Sequence, residues 1–282
     1  MSVASNINVH SDKFVLHFSH SLLLAVLFVA SSGNVYGEIT NLSAAINKAG
    51  QQRMLTQRIL SSYAMIGINV MAETSRQQLD DAIVLYERQL AELQAYSPNA
   101  KTTKTIRQLK QLWGPYKRLM KKPVSRENIK ELYDANEKLL AVSHQLVLQL
   151  EEISGTSHAR LVNVSGRQRM LSQRLTKFYM LKSWGIDSPE YNSESEQARV
   201  EFDAAMIELI QAPENTPEIK QALSKAKSQW DLFQYGLERN KKTLVPLIVA
   251  TTSEQLSASM THITGLYEAL STQMTLATNK GK

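Results

Sequence analysis

Two segments of the chain carry the same polar pattern, and their residue types are suited to binding an anion. Residues 47–58 read NKAGQQRMLTQR, and residues 163–174, 116 positions later, read NVSGRQRMLSQR. We call them the first and second box. On a helix, the asparagine, glycine and first arginine of each box share one face, because they are spaced three residues apart. These residues are Asn47, Gly50, Arg53, Asn163, Gly166 and Arg169. Arginine keeps its charge and offers a flat fork of donors that suits small planar oxyanions.

An arginine on a helix–helix contact needs a partner, and neither box contains an acidic residue. A carboxylate from another helix would serve, and so would a bound anion. If two boxes met about a twofold axis, their arginines would repel, and an anion between them would turn repulsion into attraction. Ligand binding would then be coupled to helix position, as a sensor requires. The second arginine of each box, Arg58 or Arg174, lies about 100° round the helix from the glutamine before it.

A structural interpretation competes with anion binding. Arginines on amphipathic helices are usually solvated, and their stems cover apolar surface. The repetition argues against this interpretation, because a solvated face is free to vary between copies. It leaves open a role for the boxes in packing the first helix of each half.

The composition argues against other kinds of site. Among 282 residues there is no cysteine, which excludes disulfides, thiolate metal sites and cysteine nucleophiles. After residue 37, no histidine lies within a helical turn of another, so we expect no metal site. No phosphate-binding glycine loop or nucleophile motif occurs, and we expect neither catalytic residues nor a cofactor. The net charge of +6 favours anionic partners, but the basic residues form no dense cluster, so nucleic-acid binding is not expected.

The first 37 residues are expected to be a signal peptide. Residues 21–30, SLLLAVLFVA, form an apolar run of the length of a signal-peptide core, followed by an expected cleavage site near Gly37–Glu38. The chain would then be exported to the periplasm. The alternative is an uncleaved helix anchored in the inner membrane, because residues 14–30 are only somewhat too short to span a bilayer.

The rest of the chain shows helical periodicity and no strand-like alternation. Its turn signals predict an all-α fold of eight helices, arranged as two tandem up-and-down four-helix bundles at residues 38–154 and 155–282. Ser75, followed three residues later by Gln78, is expected to cap the second helix.

The joint at Gly155 has two interpretations. A break there would let the bundles lie side by side, so that the two boxes could meet within one chain. A continuous helix over residues 126–183 would hold the boxes tens of ångströms apart, and a homodimer would then pair each box with its like. We favour the continuous helix, because no proline ends the fourth helix.

The boxes resemble a known family. Residues 46–50, INKAG, followed by Arg53, Met54 and Arg58, resemble the box on the first helix of the periplasmic domain of the nitrate/nitrite sensor kinases NarX and NarQ. They resemble even more the N-terminal module of the type IV pili chemotaxis receptor PilJ, and residues 163–174 match that form too. The resemblance covers the chain after the leader as two tandem copies, although its specific part is the two boxes.

The resemblance implies a ligand and an arrangement. In the nitrate sensors a four-helix bundle dimerises through its first helix, and the arginine three residues after the box glycine contacts nitrate at the dimer axis. By resemblance, Arg53 and Arg169 would contact a small anion such as nitrate or nitrite. The other site residues would be Gly50, Gly166, Asn47, Asn163, Arg58 and Arg174. Leu55 and Gln57 depart from the nitrate-sensor string, so another small ligand stays open.

The resemblance also implies a sensory module without its own signalling output domain. It would act as a homodimer or report to a membrane receptor partner. The alternative is a helical interaction module of a chemoreceptor, sensor kinase or type IV pilus system, with no small ligand.

Overall fold

The computed structural model describes residues 39–238 and 245–280, with side chains up to Met274. In these ranges the chain is all-α, as predicted. The helices are α1 (Leu42–Gly67), α2 (Ala72–Tyr96), α3 (Ala100–Met120), α4 (Ile129–Ser154), α5 (Ser157–Ser183), α6 (Pro189–Gln211), α7 (Pro217–Glu238) and α8 (Pro246–Lys280), with a 3₁₀ turn (Arg126–Asn128) before α4. None of the described helices has the length and apolarity needed to cross a bilayer. The predicted signal peptide and its cleavage site lie outside the described residues.

The helices pack as two modules of four, centred on α1 and α5. In the first module α1 packs against α2 and α4, and α3 packs against α4. The second repeats this plan, with α5 against α6 and α8, and α7 against α8. The modules meet along α1 and α5, the most extensive contact between any two of these helices. Residues 37–282 form one compact unit, and the domain boundary near residue 154 stays a prediction.

The two modules share an internal register. In the first, the rings of Tyr86 and Trp113 stack with centroids 4.0 Å apart, and in the second Phe202 and Trp230 stack at 3.8 Å. In each module a box glutamine on the central helix donates to the backbone carbonyl of the first residue of this stack. Counterpart positions in the two modules are therefore 116 apart at Tyr86 and Phe202 and 117 apart at Trp113 and Trp230. We use these offsets to assign the counterparts of other residues.

The chain breaks at the joint, so the prediction of one helix over residues 126–183 is wrong. Gly155 adopts φ +61°, a left-handed conformation that glycine takes without steric cost, and its N–H donates to a carbonyl of the last turn of α4. Thr156 then caps α5 with its side-chain oxygen. The modules consequently lie side by side. The hydrophobic pattern missed this stop, because the stop depends on one backbone conformation and involves no change in apolar spacing.

The expected capping box at Ser75 is also wrong. Met71, at φ +46°, occupies the N-cap of α2 and accepts from the N–H of Ser75 at 2.8 Å. Ser75 lies within the helix and donates its hydroxyl to the carbonyl of Val70 at 3.0 Å. A tight turn with Asn69 also at positive φ starts α2 earlier than the sequence indicates.

Candidate anion site between the two boxes

The first arginines of the two boxes lie in the contact between α1 and α5. Arg53 is 0% exposed and Arg169 is 1% exposed. The box glycines make room for them. A Cβ at Gly50 would lie 3.4 Å from Nη2 of Arg53 and 3.6 Å from Nη2 of Arg169, and at Gly166 the corresponding distances are 3.9 and 3.1 Å. Both guanidinium groups therefore meet over both glycines, in space that larger residues would fill.

Each guanidinium is hydrogen-bonded to the asparagine of the other box. Nη2 of Arg53 donates to Oδ1 of Asn163 at 2.8 Å, and Nη2 of Arg169 donates to Oδ1 of Asn47 at 2.7 Å. These reciprocal bonds give the contact an approximate twofold symmetry. The boxes meet within one chain, which is what the side-by-side alternative predicts, and the six residues that share a face converge.

Each asparagine connects its arginine to a carboxylate. The side-chain nitrogen of Asn163 donates to Glu151 on α4, and that of Asn47 donates to Glu268 on α8. A neutral amide thus stands between each guanidinium and its carboxylate. Buried charges in proteins are usually paired directly, because an unpaired charge in a low-dielectric interior is costly. These two guanidinium groups depart from that rule.

The hydrogen bonding of Arg53 and Arg169 is incomplete. The Nε atom of each is buried without a hydrogen-bond partner in the described part of the chain. Burial lowers the pKa of Arg53 to about 9, helped by the positive charges of Arg167 and Arg169, and burial lowers the pKa of Arg169 to about 10. Both values leave the guanidinium groups charged at neutral pH. The contact therefore contains two like charges and two unused donors.

A histidine completes the surroundings of Arg53. Nη1 of Arg53 lies 3.1 Å from Nδ1 of His144 on α4. Burial and the positive charges of Arg53 and Arg167 lower the pKa of His144 to about 4. The imidazole is therefore neutral near pH 7, and its Nδ1 accepts from Arg53. This bond adds no negative charge to the contact.

The second arginines do not join the glycine-lined contact. Arg58 on α1 pairs with Glu254 on α8 at 2.6 Å, and Arg174 on α5 pairs with Glu137 on α4 at 2.8 Å. Each crosses from one module to the last helix of the other, and each is neutralised directly. Arg174 also lines a cavity that lies next to Arg53, between α4, α5 and α6.

The boxes alone did not reveal their partners on α4 and α8. Glu151 and Glu268 are 117 positions apart in the sequence, one more than the two boxes, and so are Glu137 and Glu254. Extending the repeat to the last helix of each module would have found these carboxylates. His144 carries no such signal, because it is not repeated. Within the described residues, no cluster of three metal-ligating side chains exists, and the box arginines contribute only donors, so the contact suits an anion.

Comparison with known proteins identifies the family. The family model described as "Type IV pili methyl-accepting chemotaxis transducer N-term" (PilJ) matches residues 38–138 and 154–265. A search of curated proteins and a search of solved structures each found no match. Each matched segment contains one box, which confirms the predicted two copies. PilJ domains are non-catalytic sensory domains. The matched segments cover most of the chain, which therefore belongs to the PilJ family of chemotaxis-transducer N-terminal domains, as two tandem copies.

Proposed function

We propose that the protein is a sensory module that binds a small planar oxyanion at Arg53 and Arg169, with nitrate and nitrite as the first candidates. One observation carries this proposal. Two buried guanidinium groups meet at a helix contact, and their observed hydrogen bonds all go to neutral groups. The family match supports the sensory role.

Electrostatics explains why an anion would act on the helices. Two unit charges about 4 Å apart repel by about 4 kcal/mol at an effective dielectric constant of 20. A monovalent anion that accepts from both guanidinium groups adds two attractions, which together outweigh this repulsion. Since Arg53 is on α1 and Arg169 on α5, the bound anion would draw the two modules together. Ligand binding would then shift the α1–α5 contact between two states.

The setting of the module is part of the proposal. Residues 1–37 would direct export to the periplasm and be removed. The module would act as a homodimer or report to a membrane receptor partner. Exposed apolar side chains on α6, Val200 at 53% and Ile207 at 56%, favour a second candidate, a helical interaction module without a small ligand. The two residues are seven positions apart and lie on one helix face.

A thermal-shift titration tests the anion site. The purified protein is titrated with nitrate, nitrite and chloride at constant ionic strength. Saturation with a true ligand at about a hundredfold excess over Kd contributes about 2.7 kcal/mol, which raises Tm by roughly 5–10 °C in a chain of this size. We expect this rise for one oxyanion, and we expect the variants Arg53→Gln and Arg169→Gln to lose it.

The matched control is Arg160→Gln, which removes an arginine whose side chain is 59% exposed and paired with Glu208. It should keep the full response. An unchanged response in Arg53→Gln and Arg169→Gln would rule out the anion site. Loss of self-association or of partner pull-down in those variants, with no anion response in the wild type, would favour the interaction module.

A further inference from the structure

A cavity of about 240 Å³ lies beside Arg53, between α4, α5 and α6. Apolar side chains form part of its wall, and charged side chains form the rest. The apolar wall includes Leu140, Met170 and Ala198. Because each water in the liquid takes about 30 Å³, the volume corresponds to roughly eight waters. This space is much larger than a four-atom nitrate ion requires.

The charged wall is balanced except at Arg53. Arg167 donates to Glu201 at 2.6 Å, so these two charges cancel. Arg53 also lines the cavity, but its observed bonds go to neutral groups, and its fully buried Nε has no hydrogen-bond partner.

The remaining charges of the cavity also cancel. Glu137 and Glu194 both accept from Arg174, and Glu137 accepts from the buried Lys177 at 2.7 Å as well. Two carboxylates thus neutralise two cations in this cluster. Among the described lining residues, Arg53 is the one cation that bonds no carboxylate directly, since Glu151 reaches it only through Asn163. A ligand with a single negative charge fits this arrangement.

The duplicated architecture provides an internal comparison. The lining residues His144, Arg167 and Glu201, of which the last two are charged, have as counterparts the uncharged Thr261, Gln51 and Leu85 around Arg169. These assignments follow from the box alignment and from the matched contacts of the two modules. The arginine contact and the pair of the second box arginine with a glutamate are therefore built twice, whereas the Arg167–Glu201 pair has no charged counterpart around Arg169.

We infer that the cavity between α4, α5 and α6 holds the body of the ligand, and that the ligand is a small organic monocarboxylate whose carboxylate contacts Arg53. This inference rests on the proposed function and names the ligand class of that site. The carboxylate has the planar geometry that a guanidinium group binds. The apolar wall contacts a short hydrocarbon body. The other charges that line the cavity are already paired with one another, so a second carboxylate would find no unpaired cation among the described lining residues.

Isothermal titration calorimetry of the purified protein tests the ligand class. The probes are the sodium salts of acetate, butyrate, succinate and nitrate at constant ionic strength. Each buried methylene strengthens binding by about fourfold, so butyrate, with two more methylenes, should bind roughly fifteenfold more tightly than acetate. Succinate has the same number of carbons as butyrate but a second charge, and it should bind more weakly than butyrate.

Filling the cavity tests its position. Ala198→Leu on α6 places three extra carbons in the cavity, and Ala82→Leu makes the same change at the counterpart position on α2. Both alanines are almost fully buried, with Ala198 2% and Ala82 4% exposed. We expect Ala198→Leu to weaken butyrate binding by about tenfold, and Ala82→Leu to change it by less than about twofold.

A second pair of variants carries little risk of misfolding. Ala141 lines the cavity from an exposed position on α4, and its counterpart Ala258 is exposed on α8. Ala141→Leu should weaken butyrate binding, and Ala258→Leu should not.

The outcomes separate this inference from the proposed function. If nitrate binds in an Arg53-dependent manner, but butyrate binds no more tightly than acetate, the monocarboxylate class is overturned and the anion site stands. Equal effects of Ala198→Leu and Ala82→Leu, together with equal effects of Ala141→Leu and Ala258→Leu, overturn the cavity as the ligand's position. If no probe binds, or if binding is unchanged in Arg53→Gln, the proposed function fails and this inference fails with it.

Discussion

The two faces of the α1–α5 pair derive from the same repeat, yet they neutralise charge differently. On the face covered by α4 and α6, Glu137 accepts from Arg174 at 2.8 Å and from Lys177 at 2.7 Å. On the face covered by α2 and α8, the counterpart carboxylate Glu254 pairs with a single cation among the described residues, and Ser61 stands where the other face has Lys177.

The clearest difference between the two faces is the buried Lys177 on the face covered by α4 and α6. Its side chain is fully buried, and its ammonium lies 4.9 Å from the ring centroid of Tyr133 and 4.3 Å from that of Phe178. Burial lowers the pKa of Lys177 to about 8, while Glu137 opposes the shift. The exchanged arginine–asparagine bonds are shared by both boxes. The buried Lys177 and its pair with Glu137 belong to the α4–α6 face, and Ser61 takes the place of Lys177 on the other face.

The largest expected difference between the faces concerns the two carboxylates. Glu137→Gln leaves Lys177 buried with one charged partner fewer, and removing one partner of a buried pair usually costs 3–5 kcal/mol. Glu137 is partly exposed, so we expect a loss of about 3 kcal/mol in the free energy of unfolding. Glu254→Gln breaks a more exposed pair and should cost about 1 kcal/mol or less. Urea unfolding at pH 7 measures both.

Equal losses of unfolding free energy in Glu137→Gln and Glu254→Gln would mean that the charge cluster on the α4–α6 face stabilises the fold no more than the Arg58–Glu254 pair does. The double variant Glu137→Gln/Lys177→Met provides a further control. It removes both charges, so it should recover part of the stability lost in Glu137→Gln.

The sequence predicted much of the fold, because apolar spacing and turn residues are local signals. It gave the all-α class and the eight α-helices that the described residues form. It failed at Gly155 and at Met71, where a left-handed backbone conformation decides the path of the chain. Such conformations leave no trace in hydrophobic periodicity.

The candidate site was predictable only in part. The repeat singled out the arginines, glycines and asparagines that meet between α1 and α5. It did not indicate that each asparagine would bind the arginine of the other box, because that depends on how the modules pack. His144 was missed as a neighbour of Arg53, since a residue without a repeated counterpart gives no signal in a comparison of the two copies.

The ends of the central helices offer a second way to test the comparison. At the end of α1, a Cβ on Gly67 would lie 2.2 Å from Cζ2 of the buried Trp184 ring. The centroid of that ring lies 6.1 Å from the ring centroid of Tyr63. We expect Gly67→Ala to force this ring to move, at a cost of about 2 kcal/mol in unfolding free energy. The counterpart at the end of α5 is Ser183, which already carries a side chain.

Ser183→Ala is therefore the matched control, and it should change stability by less than about 0.5 kcal/mol. Chemical denaturation of both variants decides the matter. If Gly67→Ala leaves the free energy of unfolding unchanged, the Trp184 ring can move away from α1 at no cost. The close contact at the end of α1 would then contribute nothing to stability.

The smallest expected effect is a pH dependence that belongs to one face. His144 has its pKa lowered from 6.5 to about 4 by burial and by the charges of Arg53 and Arg167, while Glu201 opposes the shift. The unfolded chain takes up a proton at this position as the pH falls below about 6.5, and the folded chain does so only near pH 4. Stability is therefore lost as the pH falls through this window.

One pKa unit corresponds to about 1.4 kcal/mol, and the partial exposure of His144 reduces the effect, so we expect it to account for about 1 kcal/mol of the stability lost between pH 7 and pH 5. His144→Thr introduces the residue found at the counterpart position and should remove this part of the loss. Thr261→Ala, on the other face, should leave the pH dependence as in the wild type. Urea unfolding of the three proteins at both pH values measures the difference.

If His144→Thr loses as much stability as the wild type, the imidazole is protonated in the folded protein at pH 5, and the charge asymmetry between the faces is smaller than the contacts of Arg53 indicate.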